Sequence, residues 1–184
     1  MARHPTFKPF NFQRWIGDNQ QFLKPPVGNK QLFDQATGMT VMIVGGPNQR
    51  VDFHDDPVEE FFYQLKGDMV LKIADGGKIY DVPIREGDVF ILPPHVRHSP
   101  QRPVPGSVGL VVEGTRREAD IDGFEWFCFS CGEKVHRVEL QVRDIVKDLP
   151  PLFTAFYADE TKRTCKSCGV VHPGKEPPAG WVAA

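Results

Sequence analysis

From Thr40 onward the apolar residues come in short runs, TVMIV, RVDFH, EFFYQL, DMVLKIA, KIYDVPI, DVFIL and GLVVE, separated by Gly, Pro, Asp or Asn. Runs of this length, rich in Val, Ile, Phe and Tyr and broken at intervals of roughly 8–12 residues, predict an all-β sandwich or barrel. Lys66-Gly67-Asp68, Asp75-Gly76-Gly77 and Glu86-Gly87-Asp88 stand where turns between strands are needed. Ahead of these runs lies an entry segment punctuated by Pro25, Pro26 and Gly28, with a short helix expected around Phe10 to Asn19. Past about Asp120 the pattern becomes FEWFCFSCGEKVHRVELQV, two strand-like runs around a cysteine pair. A helical segment follows from Arg143. Proline supplies no backbone donor, so Pro150-Pro151 should break it in two. The closing PGKEPPAGWVAA has few apolar groups and reads as a loose tail.

Length and charge narrow the function classes. The 184 residues suit a single domain, with a barrel over about 36–120 and a C-terminal extension over about 121–184. Twenty-two basic against 24 acidic side chains give a net charge of -2, which argues against nucleic acid or an anionic membrane and for a small-molecule partner. No stretch approaches the roughly 20 apolar residues of a membrane span, and the opening MARHPTFKPFNFQRW lacks the apolar run of a signal peptide. A cytoplasmic location is therefore expected. There the four cysteines stay reduced, which favours a metal or a reactive thiol over disulfides.

His54, Glu60 and His98 form the first chemical constellation. Two imidazoles and one carboxylate on one face of an octahedral ion leave positions open for substrate and dioxygen, the donor set of non-haem Fe(II) oxygenases. A lone histidine in a strand is more often an ordinary polar residue. Spacing and order raise this set above that reading: His54-x5-Glu60-x6-Gly67 resembles the first motif of the cupins, and Gly87-x5-Pro93-x4-His98 the second. Asp52 stands where that family often has another histidine. The distance from Pro93 favours His98 over His95 as the third ligand, while His4, His136 and His172 read as ordinary polar residues. The fold expected from this resemblance is a double-stranded β-helix, or jelly-roll, of the cupin type.

Strand alternation puts Arg50, Asp52 and His54 on one face, so a His54 aimed at an ion brings Arg50 to the same pocket. Arg102 follows His98 across Pro100, and Glu113 ends GLVVE. Two arginines and a glutamate beside an apolar barrel suit a planar substrate with a carboxylate and a neighbouring donor, although Arg102 and Glu113 read equally well as surface residues at strand ends.

Cys128-x2-Cys131 and Cys165-x2-Cys168, each followed by Gly, form the second constellation. Four thiolates from two such knuckles enclose iron or zinc tetrahedrally and leave no vacant position, so a structural staple is expected.

Long strings of the chain, NQRVDFHDDPVEEFFYQLKGDM, EGDVFILPPHVRHSPQRP, DGFEWFCFSCG, DLPPLFTAFYADETKRTC and CGVVHPG, resemble the 3-hydroxyanthranilate 3,4-dioxygenases in their short bacterial and fungal form. The resemblance covers nearly the whole chain. It implies a catalytic Fe(II) on His54, Glu60 and His98, with Arg50 beside dioxygen, Arg102 on the substrate carboxylate and Glu113 on the ring substituents. It also implies a second, rubredoxin-like iron on Cys128, Cys131, Cys165 and Cys168, and a homodimer. The reaction so implied cleaves the C3–C4 bond of 3-hydroxyanthranilate with both oxygen atoms inserted, giving 2-amino-3-carboxymuconate 6-semialdehyde, the precursor of quinolinate on the kynurenine route to NAD. From the residues alone, a cupin dioxygenase for another substrate and a non-catalytic cupin that senses a small ligand stay open.

Overall fold

The computed structural model describes residues 9–25, 28–33, 38–143 and 145–182. Eleven strands carry the described chain: β1 (Asn29–Gln31), β2 (Met39–Gly45), β3 (Asp52–Asp55), β4 (Glu60–Lys66), β5 (Met69–Asp75), β6 (Lys78–Ile84), β7 (Val89–Leu92), β8 (Arg97–Gln101), β9 (Val108–Gly114), β10 (Asp122–Phe127) and β11 (Lys134–Leu140). They form two antiparallel sheets, ordered β1-β2-β9-β4-β7 and β11-β10-β3-β8-β5-β6. The middle eight strands, β2 to β9, divide between the sheets as β2-β9-β4-β7 and β3-β8-β5-β6, the strand order of a jelly-roll. The chain thus has the all-β architecture expected from the strand runs, in the jelly-roll order expected from the motif resemblance.

The turns use the glycines for their left-handed backbone, as at Gly67 with φ of 62° and Gly87 with φ of 90°. Between the sheets lies a core of Phe62, Met69, Leu71, Ile73, Ile84, Leu92 and Val111. The inward residues alternate with outward ones along each strand, as the pleat requires.

The C-terminal extension adds β10 and β11 to the edge of the second sheet, and β10 pairs with β3. Helix α1 (Phe12–Asp18) lies within the span expected for it, capped by the Asn11 side chain, which accepts from the Arg14 amide at 2.8 Å. Helix α2 (Ile145–Ala158) departs from expectation. It runs through Pro150 and Pro151 unbroken, and both prolines are exposed, where water can serve carbonyls left without a donor. Its other face decides the matter: Leu149, Leu152, Phe153, Phe156 and Tyr157 pack with Val51, Phe124 and Trp126 in a second core. Trp126 and Phe156 stack at 4.2 Å between centroids. A short α3 (Glu160–Arg163) leads into the second cysteine knuckle. The closing segment is no loose tail either, because the Trp181 indole docks on the barrel and donates to the Arg50 carbonyl at 3.0 Å. No helix of the described residues is long and apolar enough to cross a membrane.

Candidate active site

Strand register assembles the first constellation. His54 on β3 lies directly opposite His98 on β8, so the two imidazoles emerge side by side from the second sheet. Glu60 opens β4 in the facing sheet, paired with Glu113 of β9. Donor atoms of His54, Glu60 and His98 all lie within 4.8 Å of one another.

Fixed partners orient the two imidazole donors. His98 Nδ1 donates to the Val96 carbonyl at 2.8 Å, which aims Nε2 at Glu60 Oε1, 2.7 Å away, and that carboxylate raises the imidazole against the pull of its burial. That spacing is close to the roughly 3 Å between adjacent ligands on an octahedral ion with bonds of about 2.1 Å. Glu60 Oε1 is buried, and apart from His98 Nε2 it has no hydrogen-bond partner among the described residues. His54 stacks on Phe124 at 4.8 Å, and its Nε2 meets Asp122 Oδ1 at 2.8 Å, which turns Nδ1 toward Glu60. A carboxylate behind the imidazole fixes tautomer and orientation, as it does for histidines on metals. Burial works to raise the Glu60 carboxyl, yet the neighbouring His98 and His54 outweigh it and bring the group down to about 2. Burial pushes His54 down, toward the neutral form that binds metal. The donor set fits a divalent ion that accepts imidazole and carboxylate.

One cavity of about 800 Å³, counting its open mouth, carries Arg50, His54, Glu60, His98, Arg102 and Glu113 together. Its remaining wall is largely apolar, from Met42, Val44, Phe62, Val111, Phe124 and Leu149. Arg102 and Glu113 are 2% and 6% exposed, so neither is a surface residue at a strand end. The Arg102 guanidinium has no acidic partner among the described residues. It donates only to Gln64 Oε1 at 2.9 Å and Met69 Sδ at 2.7 Å, its Nε is buried and unsatisfied, and burial lowers it to about 10. Gly109 makes room for it: a Cβ there would stand 2.7 Å from Arg102 Nη2. Glu113 is raised by its burial and by the charge of Glu60 opposite. Arg50 leans on Asp52, to which its Nε donates at 3.1 Å, so Asp52 takes up the arginine beside it.

Three residues of the site escaped the sequence reading. Arg116 donates to Glu113, Asp56 and Asp122 at 2.9, 2.9 and 2.8 Å and so ties the carboxylates behind the imidazoles into one network. Asp56 is pushed up to about 8, chiefly by burial. Alternation from His54 could have flagged Asp56, but Arg116 follows β9 and Asp122 opens β10, and no spacing in the chain ties either to His54. His95 points elsewhere, 63% exposed and against Asp55, and His4 lies outside the described residues.

The cysteines gather away from this cavity, with all four sulfurs within 4.8 Å. Cys128 and Cys168 stand 3.6 Å apart, as do Cys131 and Cys165, close to the roughly 3.8 Å expected across a tetrahedral ion with bonds of about 2.3 Å and far beyond a disulfide. The two knuckles repeat one geometry. Gly132 and Gly169 both have φ of 76°, and their amides donate back to Cys128 and Cys165 at 2.9 Å. The Cys168 and Ser167 amides bring the Cys165 thiol down to about 7. His172, read from sequence as an ordinary polar residue, is buried beside the knuckles, stacked on Phe129 at 4.7 Å.

The family described as 3-hydroxyanthranilic acid dioxygenase matches residues 5–157. A 3-hydroxyanthranilate 3,4-dioxygenase from Ruegeria pomeroyi is 66% identical over 94% of this chain and 96% of its own. One from Brucella anthropi is 62% identical over 95% and 96%. Among solved structures, a Neisseria meningitidis protein aligns with 59% of this chain and all of its own at 18% identity and a TM-score of 0.47. With its triad, its arginine-lined cavity and its two cysteine knuckles, the chain belongs to the 3-hydroxyanthranilic acid dioxygenase family.

Proposed function

We propose that this protein cleaves the ring of 3-hydroxyanthranilate with dioxygen, using iron held by His54, Glu60 and His98. The observation that carries the substrate is Arg102, a buried cation without an acidic partner on the wall that also bears the triad. A buried guanidinium left without an anion is costly, and a substrate carboxylate pairs with it through strong charge-assisted bonds.

Arg102 anchors the carboxylate and thereby sets which ring edge faces the triad. Met42, Val44 and Val111 take the ring and exclude water around it. Arg116 occupies Glu113 Oε2, which leaves Oε1 to accept from the adjacent hydroxyl or amine. Because burial and Glu60 raise Glu113, its carboxylate is a ready proton acceptor as those substituents give up a proton. Asp122 and Phe124 keep the His54 ring from turning. Arg50 supplies positive charge where dioxygen is reduced. Iron(II) bound by the triad supplies a Lewis-acid template for the ring substituents and a path for electrons from ring to dioxygen. Cleavage between C3 and C4 yields 2-amino-3-carboxymuconate 6-semialdehyde, which closes to quinolinate on the kynurenine route to NAD.

The four-cysteine site holds a second metal, iron or zinc, as a staple of the extension. It is closed on all four sides and carries no chemistry in this reading. The enzyme works as a cytoplasmic homodimer, without nucleic acid or membrane. The test of the reaction is oxygen uptake on addition of 3-hydroxyanthranilate: a ring-cleaving enzyme consumes it, and a ligand sensor of the same fold does not.

A further inference from the structure

Trp181 lies 131 residues from Arg50 in sequence, yet its indole is bonded to it. The Arg50 carbonyl accepts from Trp181 Nε1 at 3.0 Å and from Gln101 Nε2 at 2.9 Å, while the Arg50 amide donates to Gln101 Oε1 at 3.1 Å. Gln101 is fully buried. The peptide that launches the Arg50 side chain into the cavity is thus gripped by two side chains from two distant parts of the chain.

What grips Trp181 is the first cysteine knuckle. Its ring stands edge-on to Phe129 at 4.8 Å, and Phe129 lies between Cys128 and Cys131. It stands edge-on to Phe53 of β3 at 6.3 Å, and the Lys72 ammonium sits 4.3 Å from its centroid. Phe129 is backed in turn by His172, from beyond the second knuckle. The indole is wedged between barrel and metal site.

We propose that Trp181 is a positioning residue for Arg50, through which the four-cysteine site fixes one wall of the reaction pocket. This inference rests on the reading of Arg50 as a residue of that pocket. A guanidinium is useful only where its charge is already aimed, and its aim is set by its own backbone. Asp52 holds the guanidinium end. Trp181 and Gln101 hold the peptide.

Trp181→Phe tests this in the metal-loaded enzyme, since it keeps an aromatic ring between Phe53, Phe129 and Lys72 while the donor goes with the rest of the indole. Hydrogen exchange of the peptide spanning Arg50 reads the clamp itself, and kinetics read its effect. The expected result is faster exchange at residues 50 and 51, with both metals retained. With it goes a fall of about 3- to 10-fold in kcat/KM for dioxygen, the loss of one hydrogen bond's worth of positioning. In the background of Arg50→Ala the same change should cost nothing further. Unchanged exchange overturns the proposal, as does a kinetic loss that adds in full to that of Arg50→Ala. Parental kinetics in Arg50→Ala alone would instead sink the reading of Arg50, and the exchange rates then decide the clamp by themselves.

Discussion

A buried charge is informative because it is costly, and Arg102 and Glu60 are the clearest cases here. Arg102 has lost water and gained only a side-chain amide and a thioether, which is why the proposal gives it the substrate carboxylate. Replacing it with Ala should raise the substrate KM tenfold or more, for a charge-assisted pair of about 1.5–3 kcal/mol. An unchanged KM in steady-state assays would remove the carboxylate from this position. Gly109→Ala should push the same KM upward without touching iron content, because its Cβ would intrude on the guanidinium at 2.7 Å. His54→Ala should abolish turnover and catalytic iron while the thiolate-bound metal remains, as metal analysis of the purified variant would report. Full activity in that variant would end the triad assignment. His172 carries a pH effect instead. Burial pushes it down to about 4, so between there and its unfolded value near 6.5 the unfolded chain binds more protons. The stability it lends is whole above 6.5 and drains as pH falls, by about 2 kcal/mol between pH 7 and 5. His172→Phe should lose less stability over that interval in urea titrations. Equal losses in the two proteins would refute the assignment. At this scale the sequence revealed the residues with spacing behind them, His54, Glu60, His98 and the cysteines. It hid Arg116 and Asp122, whose meaning comes from bonds to Asp56 and His54, some sixty residues away in the chain.

At the scale of elements, turn chemistry was legible because glycine, proline and aspartate act locally. The strands β2 to β7 and β9 fall on the apolar runs and α1 within its expected span, while β1 and β8, the strand that bears His98, have no apolar run to mark them. Helix α2 was misread at its prolines for a non-local reason: the core of Phe124, Trp126 and Phe156 holds it together, and no local rule contains that core. The knuckles offer a graded test of local strain. Both glycines are left-handed, but a Cβ on Gly169 meets open space, whereas one on Gly132 would stand 2.8 Å from the Gly77 carbonyl. Gly169→Ala should therefore cost the strain alone, about 1–2 kcal/mol, and Gly132→Ala distinctly more. Equal midpoints in denaturant for the two variants would mean that the hairpin holding Gly77 yields freely.

Over the whole molecule, the barrel brings two carboxylates face to face at Glu60 and Glu113, an arrangement that destabilises a sheet unless something cationic intervenes. Arg116 relieves Glu113 from one side, and the metal proposed on Glu60 would relieve the other. The fold thus tolerates at its centre a cluster that only a ligand completes. The extension closes the same cavity through Phe124 and Leu149 and grips Arg50 through Trp181, so barrel and knuckles serve one pocket. All of this serves one reaction, in which the pocket joins 3-hydroxyanthranilate to dioxygen. It is tested most directly by loading the protein with Fe(II) without oxygen, adding the substrate in air, and recording oxygen and substrate together. One oxygen consumed per substrate lost, with the absorbance of the ring-opened product rising in step, is the expected result. Absence of oxygen uptake in protein shown to hold iron at the triad would contradict it.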